Sequence, residues 1–217
     1  MTKTDTQLKN AIEQELQWDP KVNSARIGVS VDSGAVTLLG AVDTNAQKWA
    51  AEDATKRVRG VRAIAQNLTV KLRADHERSD SEIATAVHRC LNWDVYVPET
   101  VSASVHYGAV TLSGQVSWNF ERLAAERAVR HLKGVVTVHN NITILPKVSP
   151  VEVHEQVWSA LQRQDHVDAS SIHIASIGGE VTLTGHATSW QSIFDAENAS
   201  WAVPGVTQVF NKVTLTT

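Results

Sequence analysis

The 217-residue sequence contains one cysteine, Cys90, and no apolar run near the roughly 18 residues that a membrane-spanning helix needs. One cysteine excludes an intramolecular disulfide and cysteine-based zinc motifs. The nine histidines include no helical i, i+4 pair, so no metal site and no cofactor are expected. No Ser/His/Asp or Cys/His arrangement has catalytic spacing, and we predict that the protein is not an enzyme.

The N-terminal residues lack the apolar segment and the small-residue cleavage site of a signal peptide. The sequence as written therefore predicts a cytoplasmic protein without a transmembrane segment. If a signal had been removed, a periplasmic location would be expected instead.

Positive charge is scarce in the last third of the chain. Residues 1–74 carry 11 Lys and Arg against 8 Asp and Glu, residues 75–147 carry 7 against 8, and residues 148–217 carry 2 against 7. The basic first part and the acidic last part either serve different partners or attract each other. The acidic overall pI of 6.3 argues against nucleic acid as a partner.

Three similar glycine-bounded segments occur along the chain. They are Gly34-Ala-Val-Thr-Leu-Leu-Gly40, Gly108-Ala-Val-Thr-Leu-Ser-Gly114 and Gly179-Glu-Val-Thr-Leu-Thr-Gly185. A further glycine follows 20 residues after each segment, at Gly60, Gly134 and Gly205. The period of 74 and then 71 residues exceeds the roughly 20–50 residues of solenoid repeats. The chain is therefore predicted to be three domains, 1–74, 75–147 and 148–217.

Each repeat has the same predicted element order. A capping box precedes a helix with an apolar stripe, at Thr4…Gln7, Ser79…Glu82 and Ser149…Glu152. Two alternating apolar runs separated by turn residues then predict a hairpin. A second helix follows, which the third glycine is predicted to stop, and a final strand ends the repeat. The expected fold is α+β: three tandem α-β-β-α-β domains, each with two helices on one face of a small mixed three-stranded sheet.

The repeated pattern G-x-V-T-L-x-G, then G-V-x-x-V-x-N-x-L-x-V, resembles the BON domain family over nearly the whole chain. Asn67 and Asn141 occupy the asparagine position, whereas the third copy places Asn211 one residue early. The resemblance implies a non-enzymatic bacterial stress or envelope module that binds anionic phospholipid or hydrophobic surfaces. The alternative is a protein-interaction or chaperone-like scaffold. The family supplies no catalytic residues.

The paired glycines do not form a phosphate-binding loop, because five residues separate them and no Lys-Ser/Thr follows. We interpret the nine glycines of the three repeated patterns as structural. The two prolines of the second linker, Pro146 and Pro150, are expected to fix the orientation of the second and third domains.

Basic residues gather on and after the predicted second helix. The candidates for binding an anionic surface are Lys48, Lys56, Arg57, Arg59, Arg62, Arg127, Arg130 and Lys133. Cations near a helix C-terminus also complement the helix dipole, so a purely structural role is the alternative. The third repeat has no basic residue in this region and cannot share the proposed activity.

Three kinds of tryptophan position are distinguishable. Trp118 and Trp190 begin the second helix and either insert at a membrane interface or form a hydrophobic staple. Trp18 and Trp93 follow the first helix and are expected to cover its connection to the sheet. Trp49, on the second helix, is expected to lie in the core.

Overall fold

The computed structural model describes residues 4–145, 153–164 and 168–216. The first repeat contains α1 (Asp5–Trp18), β1 (Ile27–Asp32), β2 (Ala35–Val42), α2 (Asn45–Lys56) and β3 (Ala63–Val70). The second contains α3 (Asp80–Trp93), β4 (Ser102–His106), β5 (Ala109–Val116), α4 (Asn119–Val129) and β6 (Thr137–Ile144). The third contains α5 (Val153–Gln162), β7 (Ile172–Ile177), β8 (Glu180–Ala187), α6 (Trp190–Trp201) and β9 (Gln208–Leu215). The predicted α+β class and tandem element order are confirmed.

Each sheet has its strands in chain order, with the second strand in the centre. In the first repeat, β2 pairs antiparallel with β1 and parallel with β3, so that Val36 faces Val31 on one side and Ile64 on the other. The third repeat has the same mixed pairing. The parallel partner requires a crossover connection, which the second helix supplies.

The first helix of each repeat begins with the predicted signals where the structure describes them. Thr4 and Gln7 form a reciprocal capping box at α1, and Ser79 and Glu82 form another at α3. Each box satisfies two backbone N–H groups that the helix itself leaves unpaired. The third predicted box, Ser149…Glu152, lies outside the described residues.

An aspartate next to each of these caps joins the helix to the hairpin of the same repeat. The carboxylate of Asp5 accepts hydrogen bonds from the backbone N–H groups of Ser33 and Gly34, at 2.8 and 3.2 Å. The carboxylate of Asp80 likewise accepts from Tyr107 and Gly108, at 2.8 and 2.9 Å. These backbone bonds lower the pKa of Asp80. We call the two arrangements the hairpin clamps.

The core of a repeat lies between the apolar stripe of its helices and one face of its sheet. In the first repeat, Leu8, Ile12 and Leu16 of α1 are buried together with residues of β2 and α2. The core of the third repeat is built in the same way, with Val157 and Leu161 of α5 buried together with residues of β8 and α6. Truncating one such Leu to Ala typically costs about 2–5 kcal/mol.

The strand glycines Gly40 and Gly185 occupy positions that exclude a side chain. Their φ angles are +119° and +120°, in the left-handed half of backbone space. A Cβ on Gly40 would collide with the carbonyl oxygen of Arg26, and one on Gly185 with that of Ser171. Only glycine fits such a position without displacing the neighbouring backbone.

The third glycine of each repeat does not end the second helix as predicted. Arg57 caps the C-terminus of α2, and Ala202 caps that of α6. Gly60 and Gly205 lie three residues beyond these caps, with φ of +106° and +88°. They shape the turn that leads into the last strand, so the prediction of a C′ glycine was wrong.

The prediction that Trp49 lies in the core was also wrong. Its side chain is half-buried, and the guanidinium of Arg130, from the second repeat, lies 5.3 Å from its ring centroid. The equivalent Leu123 and Phe194 are exposed. This helix position therefore faces outward from its own repeat.

Contacts group the chain into two compact units. One consists of the chain up to Ser113 with Ala124–Asn141, and the other of Gly114–Leu123 with the chain from Ile142 onward. The division passes through the second repeat. The domain ranges 1–74, 75–147 and 148–217 stay a prediction, and the linker prolines Pro146 and Pro150 lie outside the described residues.

Candidate functional site

Three exposed large apolar side chains lie close together in the sequence at the end of α3. Trp93 is 92% exposed, Val95 89% and Tyr96 60%. We call these three residues the aromatic loop. Trp18 and Trp93 were both predicted to cover the link between helix and sheet, and their exposures of 83% and 92% show that this prediction was wrong.

Asp94 fixes the backbone of the aromatic loop. Its N–H donates to the carbonyl oxygen of Cys90 at 3.2 Å, and its carboxylate accepts from the N–H of Tyr96 at 2.9 Å. The N–H of Val97 in turn donates to the carbonyl oxygen of Asp94 at 3.0 Å. The chain therefore turns sharply directly after the helix, and Trp93 projects from the last helical turn.

The first repeat has a smaller version of this loop. Trp18 is 83% exposed, and the carboxylate of Asp19 accepts from the N–H of Lys21 at 2.9 Å. Pro20 and Lys21 stand where the second repeat has Val95 and Tyr96. The third repeat has Arg163 at the tryptophan position, so an exposed indole at this place belongs to the first two repeats.

Two of the predicted surface cations are engaged in ion pairs. Lys56 lies 2.7 Å from a carboxylate oxygen of Glu52, one turn earlier on α2. Arg57 binds both Glu15 at 2.8 Å and Asp19 at 2.7 Å, and so ties the end of α2 to the end of α1. The hydrogen bond from Arg57, followed by that from the backbone of Lys21, lowers the pKa of Asp19. The same pairing raises the pKa of Arg57.

The other predicted cations differ in exposure. Lys48 and Arg130 are half-buried. The exposed ones are Arg59, Arg62, Arg127 and Lys133. Arg62 lies beside the first hairpin, since its N–H donates to the carbonyl oxygen of Gly34 at 2.8 Å. Arg59 and Arg62 therefore form the exposed basic pair of the first repeat, and the role of all eight cations stays a prediction.

Trp118 and Trp190, the candidate interfacial residues, are both half-buried. Trp190 packs against the core of the third repeat. The N–H of Trp118 donates to the carboxylate of Glu121 at 2.9 Å, one turn into α4. The packing of Trp190 favours the hydrophobic-staple interpretation over insertion at a membrane interface.

The sequence pattern missed the aromatic loop for a physical reason. The position of a tryptophan two residues after a core leucine does not show whether the following chain covers its side chain. The side chain is buried if the chain folds back over it and exposed if the chain turns away. The available signal was the Trp-Asp dipeptide repeated at Trp18 and Trp93, because an aspartate in this position can hold a tight turn.

The described residues contain no group of three or more His, Cys, Asp and Glu side chains arranged to hold a metal ion. No helix among them is both long enough and apolar enough to span a bilayer. One open cavity of about 340 Å³ lies in the third repeat between α5 and the end of α6, with Glu155 and Arg163 as the ionisable residues of its lining.

Three copies of one small α+β domain along the chain define a modular, repeat-built protein. The sequence profile of the BON domain matches residues 4–71, 79–146 and 151–217. The chain belongs to the BON domain family and carries three copies of the domain.

One similar protein is the outer membrane lipoprotein DolP of Haemophilus influenzae. It is 27% identical over 147 residues, which cover 65% of this chain and 75% of DolP. Among solved structures, the C-terminal domain of CdsD, a structural protein of the type III secretion system of Chlamydia trachomatis, is 15% identical over 100% of both chains, with a TM-score of 0.28. The periplasmic domain of the inner membrane protein PrgH from S. typhimurium is 14% identical over 88% of this chain and 94% of that one, with a TM-score of 0.22.

Proposed function

We propose that the chain is a non-enzymatic binding protein of the bacterial envelope that attaches peripherally to anionic phospholipid surfaces. The exposure of Trp93, with Val95 and Tyr96 beside it, carries this proposal. Large apolar side chains grouped at one place on a surface usually mark an interaction site. Tryptophan and tyrosine in particular favour the boundary between lipid headgroups and acyl chains.

The aromatic loop can supply a useful apolar contribution to attachment. Transfer of a large apolar side chain from water to an apolar medium stabilises by about 1.5–3 kcal/mol. Three such residues offset part of the translational and rotational entropy that is lost on association. Because the net gain is small, the attachment is expected to be weak and reversible. The rigid turn at Asp94 presents them without further ordering of the backbone.

Cations near the two loops supply the preference for anionic lipid. Arg89 is exposed and lies one helical turn before Trp93, on the same side of α3. Lys21 follows Trp18 in the first repeat. Each Lys or Arg close to an anionic bilayer contributes about 1 kcal/mol, and Arg59 and Arg62 would add to this where they reach the surface.

The similarity to DolP supports a location at the envelope, because that protein is an outer membrane lipoprotein. A periplasmic location therefore replaces the cytoplasmic one as our proposal. The acidic third repeat, with 2 Lys and Arg against 7 Asp and Glu, would be repelled by an anionic bilayer and face away from it.

Co-sedimentation with vesicles tests the proposal. The full chain is expected to bind vesicles that contain phosphatidylglycerol and to bind pure phosphatidylcholine vesicles weakly. Trp93→Ser should reduce affinity by about tenfold or more, because it removes an apolar contact of at least about 1.4 kcal/mol. Ile177→Ser, which removes an 85% exposed apolar side chain from the third repeat, is the matched control and should leave binding unchanged.

A second pair of variants separates a local basic pair from overall charge. Arg59→Ser with Arg62→Ser should weaken binding to anionic vesicles, whereas Arg163→Ser with Lys212→Ser removes the same charge from the third repeat and should not. Equal losses from both pairs would show that only net charge matters. If the intact protein binds no vesicle of either composition, the lipid proposal fails and a protein partner for the aromatic loop becomes the better one.

A further inference from the structure

Within the first compact unit, the first and second repeats meet through their second helices. The side-chain amide of Asn45, at the start of α2, donates to the backbone carbonyl oxygen of Arg130 at 3.2 Å. The guanidinium of Arg130, directly after α4, lies over the ring of Trp49, one turn further along α2. The start of one repeat's second helix thus contacts the end of the next repeat's second helix.

The second compact unit contains a contact of the same kind. The guanidinium of Arg122, in the first half of α4, lies 5.0 Å from the ring centroid of Trp201, the last residue of α6. Again the early part of one helix meets the end of the corresponding helix in the following repeat. Here the arginine lies on the early part and the tryptophan at the end, the reverse of the first contact. The two contacts are heterologous, since each joins two different surfaces.

The repeat spacing identifies the surfaces that a further contact of this kind would use. Trp49 corresponds to Phe194, and Arg130 corresponds to Lys56. Phe194 is 59% exposed on α6, so most of its side chain is uncovered by the residues that the structure describes. Lys56 is the last residue of α2, and its ammonium lies 2.7 Å from a carboxylate oxygen of Glu52 one turn earlier on the same helix. The chain therefore offers one more aromatic group and one more cation at the matching positions.

Net charge favours a meeting of these two ends. Residues 1–74 carry 11 Lys and Arg against 8 Asp and Glu, and residues 148–217 carry 2 against 7. The repeat that carries Phe194 is thus acidic, and the repeat that carries Lys56 is basic. Opposite net charges speed the association of the first repeat of one copy with the third repeat of another. They also disfavour contacts between two first repeats or between two third repeats, which carry the same sign of charge.

We propose that the chain associates with a second copy of itself head to tail, with the Phe194 surface of α6 in one copy against the Lys56 end of α2 in the next. The contact continues, between molecules, the arrangement that joins successive repeats within the chain. An aromatic ring under a cation and opposite net charges hold it together. Such a heterologous contact leaves one free end on each side and can extend to longer assemblies or close into a ring.

Analytical ultracentrifugation tests the proposal over protein concentrations from about 5 to about 500 µM. The full chain should show mass that rises with concentration at about 0.05 M salt and falls towards the monomer at about 1 M salt, because salt screens the charge term. Phe194→Asp and Lys56→Glu should each abolish the rise. Ile177→Ser should behave as the unaltered chain, and circular dichroism should show the same fold for all variants.

A mixing experiment tests the head-to-tail geometry itself. The Phe194→Asp copy keeps its Lys56 end, and the Lys56→Glu copy keeps its Phe194 surface. A mixture in equal amounts should therefore form dimers that cannot extend further, although neither variant associates alone. A monomer at every concentration and salt, self-association of either single variant, or a mixture that stays monomeric would overturn the proposal.

Discussion

The side-chain amide of Gln66 donates hydrogen bonds to the carboxylate of Glu52 at 2.8 Å and to the backbone carbonyl oxygen of Lys48 at 3.1 Å. The last strand of the first repeat is thereby tied to the helix that crosses over the sheet. The same link joins Asn140 to Glu126 at 3.0 Å and Asn211 to Glu197 at 3.4 Å. In every repeat the two residues are 14 positions apart.

This link changes how the sequence motif is interpreted. Asn67 and Asn141 define the motif in the first two repeats, yet both are exposed. The amide that bonds to the helix belongs to the residue before each of them. Asn211 is therefore not displaced: it occupies the position of Gln66 and Asn140.

The first prediction compares these two neighbours on β3. Gln66→Ala should lower the free energy of unfolding by about 1–3 kcal/mol, because it removes the side-chain donor that ties the strand to the carbonyl of Lys48 and to one carboxylate oxygen of Glu52. Asn67→Ala should change it by less than about 0.5 kcal/mol, as surface substitutions usually do. Urea unfolding followed by tryptophan fluorescence measures both, and equal losses would contradict the assignment.

The second prediction concerns backbone collision at a strand glycine. Gly185→Ala should destabilise the third repeat by several kcal/mol, because the new Cβ meets the carbonyl oxygen of Ser171. Gly178→Ala is the control: Gly178 also has positive φ, +60°, but has nothing within 4 Å of an added Cβ. It should cost only the strain of the left-handed conformation, about 1–2 kcal/mol. Thermal unfolding of the two variants separates collision from strain.

The third prediction is a pH dependence at the contact between the first two repeats. Burial, and then the positive charges of Arg130 and Lys21, lower the pKa of His131. Folding therefore favours the neutral imidazole, and the unfolded chain binds more protons at pH values just below the ordinary histidine pKa of about 6.5. Stability should accordingly fall as the pH drops through about 6.5 and level off below the lowered pKa.

His131→Gln isolates this effect, because glutamine does not titrate. As the pH is lowered from about 7.5 to about 5.5, the urea midpoint of the variant should rise relative to that of the unaltered chain. A constant difference across that range would remove His131 as the source. His88, exposed and hydrogen-bonded only to Asn92 in its own helix, is the control position for the same substitution.

The sequence predicts the repeated part of this structure well, since each signal is local. Thr4 with Gln7 and Ser79 with Glu82 mark helix starts through bonds three residues apart. The alternation around Val36 and Leu38 fixes which face of β2 is buried, because side chains on a strand alternate in direction.

Features that depend on contacts between repeats could not be predicted in this way. Trp49 has the apolar character of a core residue, and only the position of Arg130 shows that it faces a neighbouring repeat. Trp93 likewise follows a core leucine in sequence, and its exposure depends on the turn at Asp94. The helical period of apolar residues locates the buried face of one helix, but it does not show which residues of a neighbouring repeat contact the other faces.

The hairpin clamps determine where the chain can be cut or lengthened without harm. Inserting an affinity tag or a protease site at Ser33 or Tyr107 would pull the turn amides away from Asp5 or Asp80 and separate a helix from its hairpin. The turn at Gly178 has open space around it and the exposed Ile177 beside it. Exposed, unconstrained turns are where insertions are tolerated, so the third hairpin is the natural attachment point for a label on this protein.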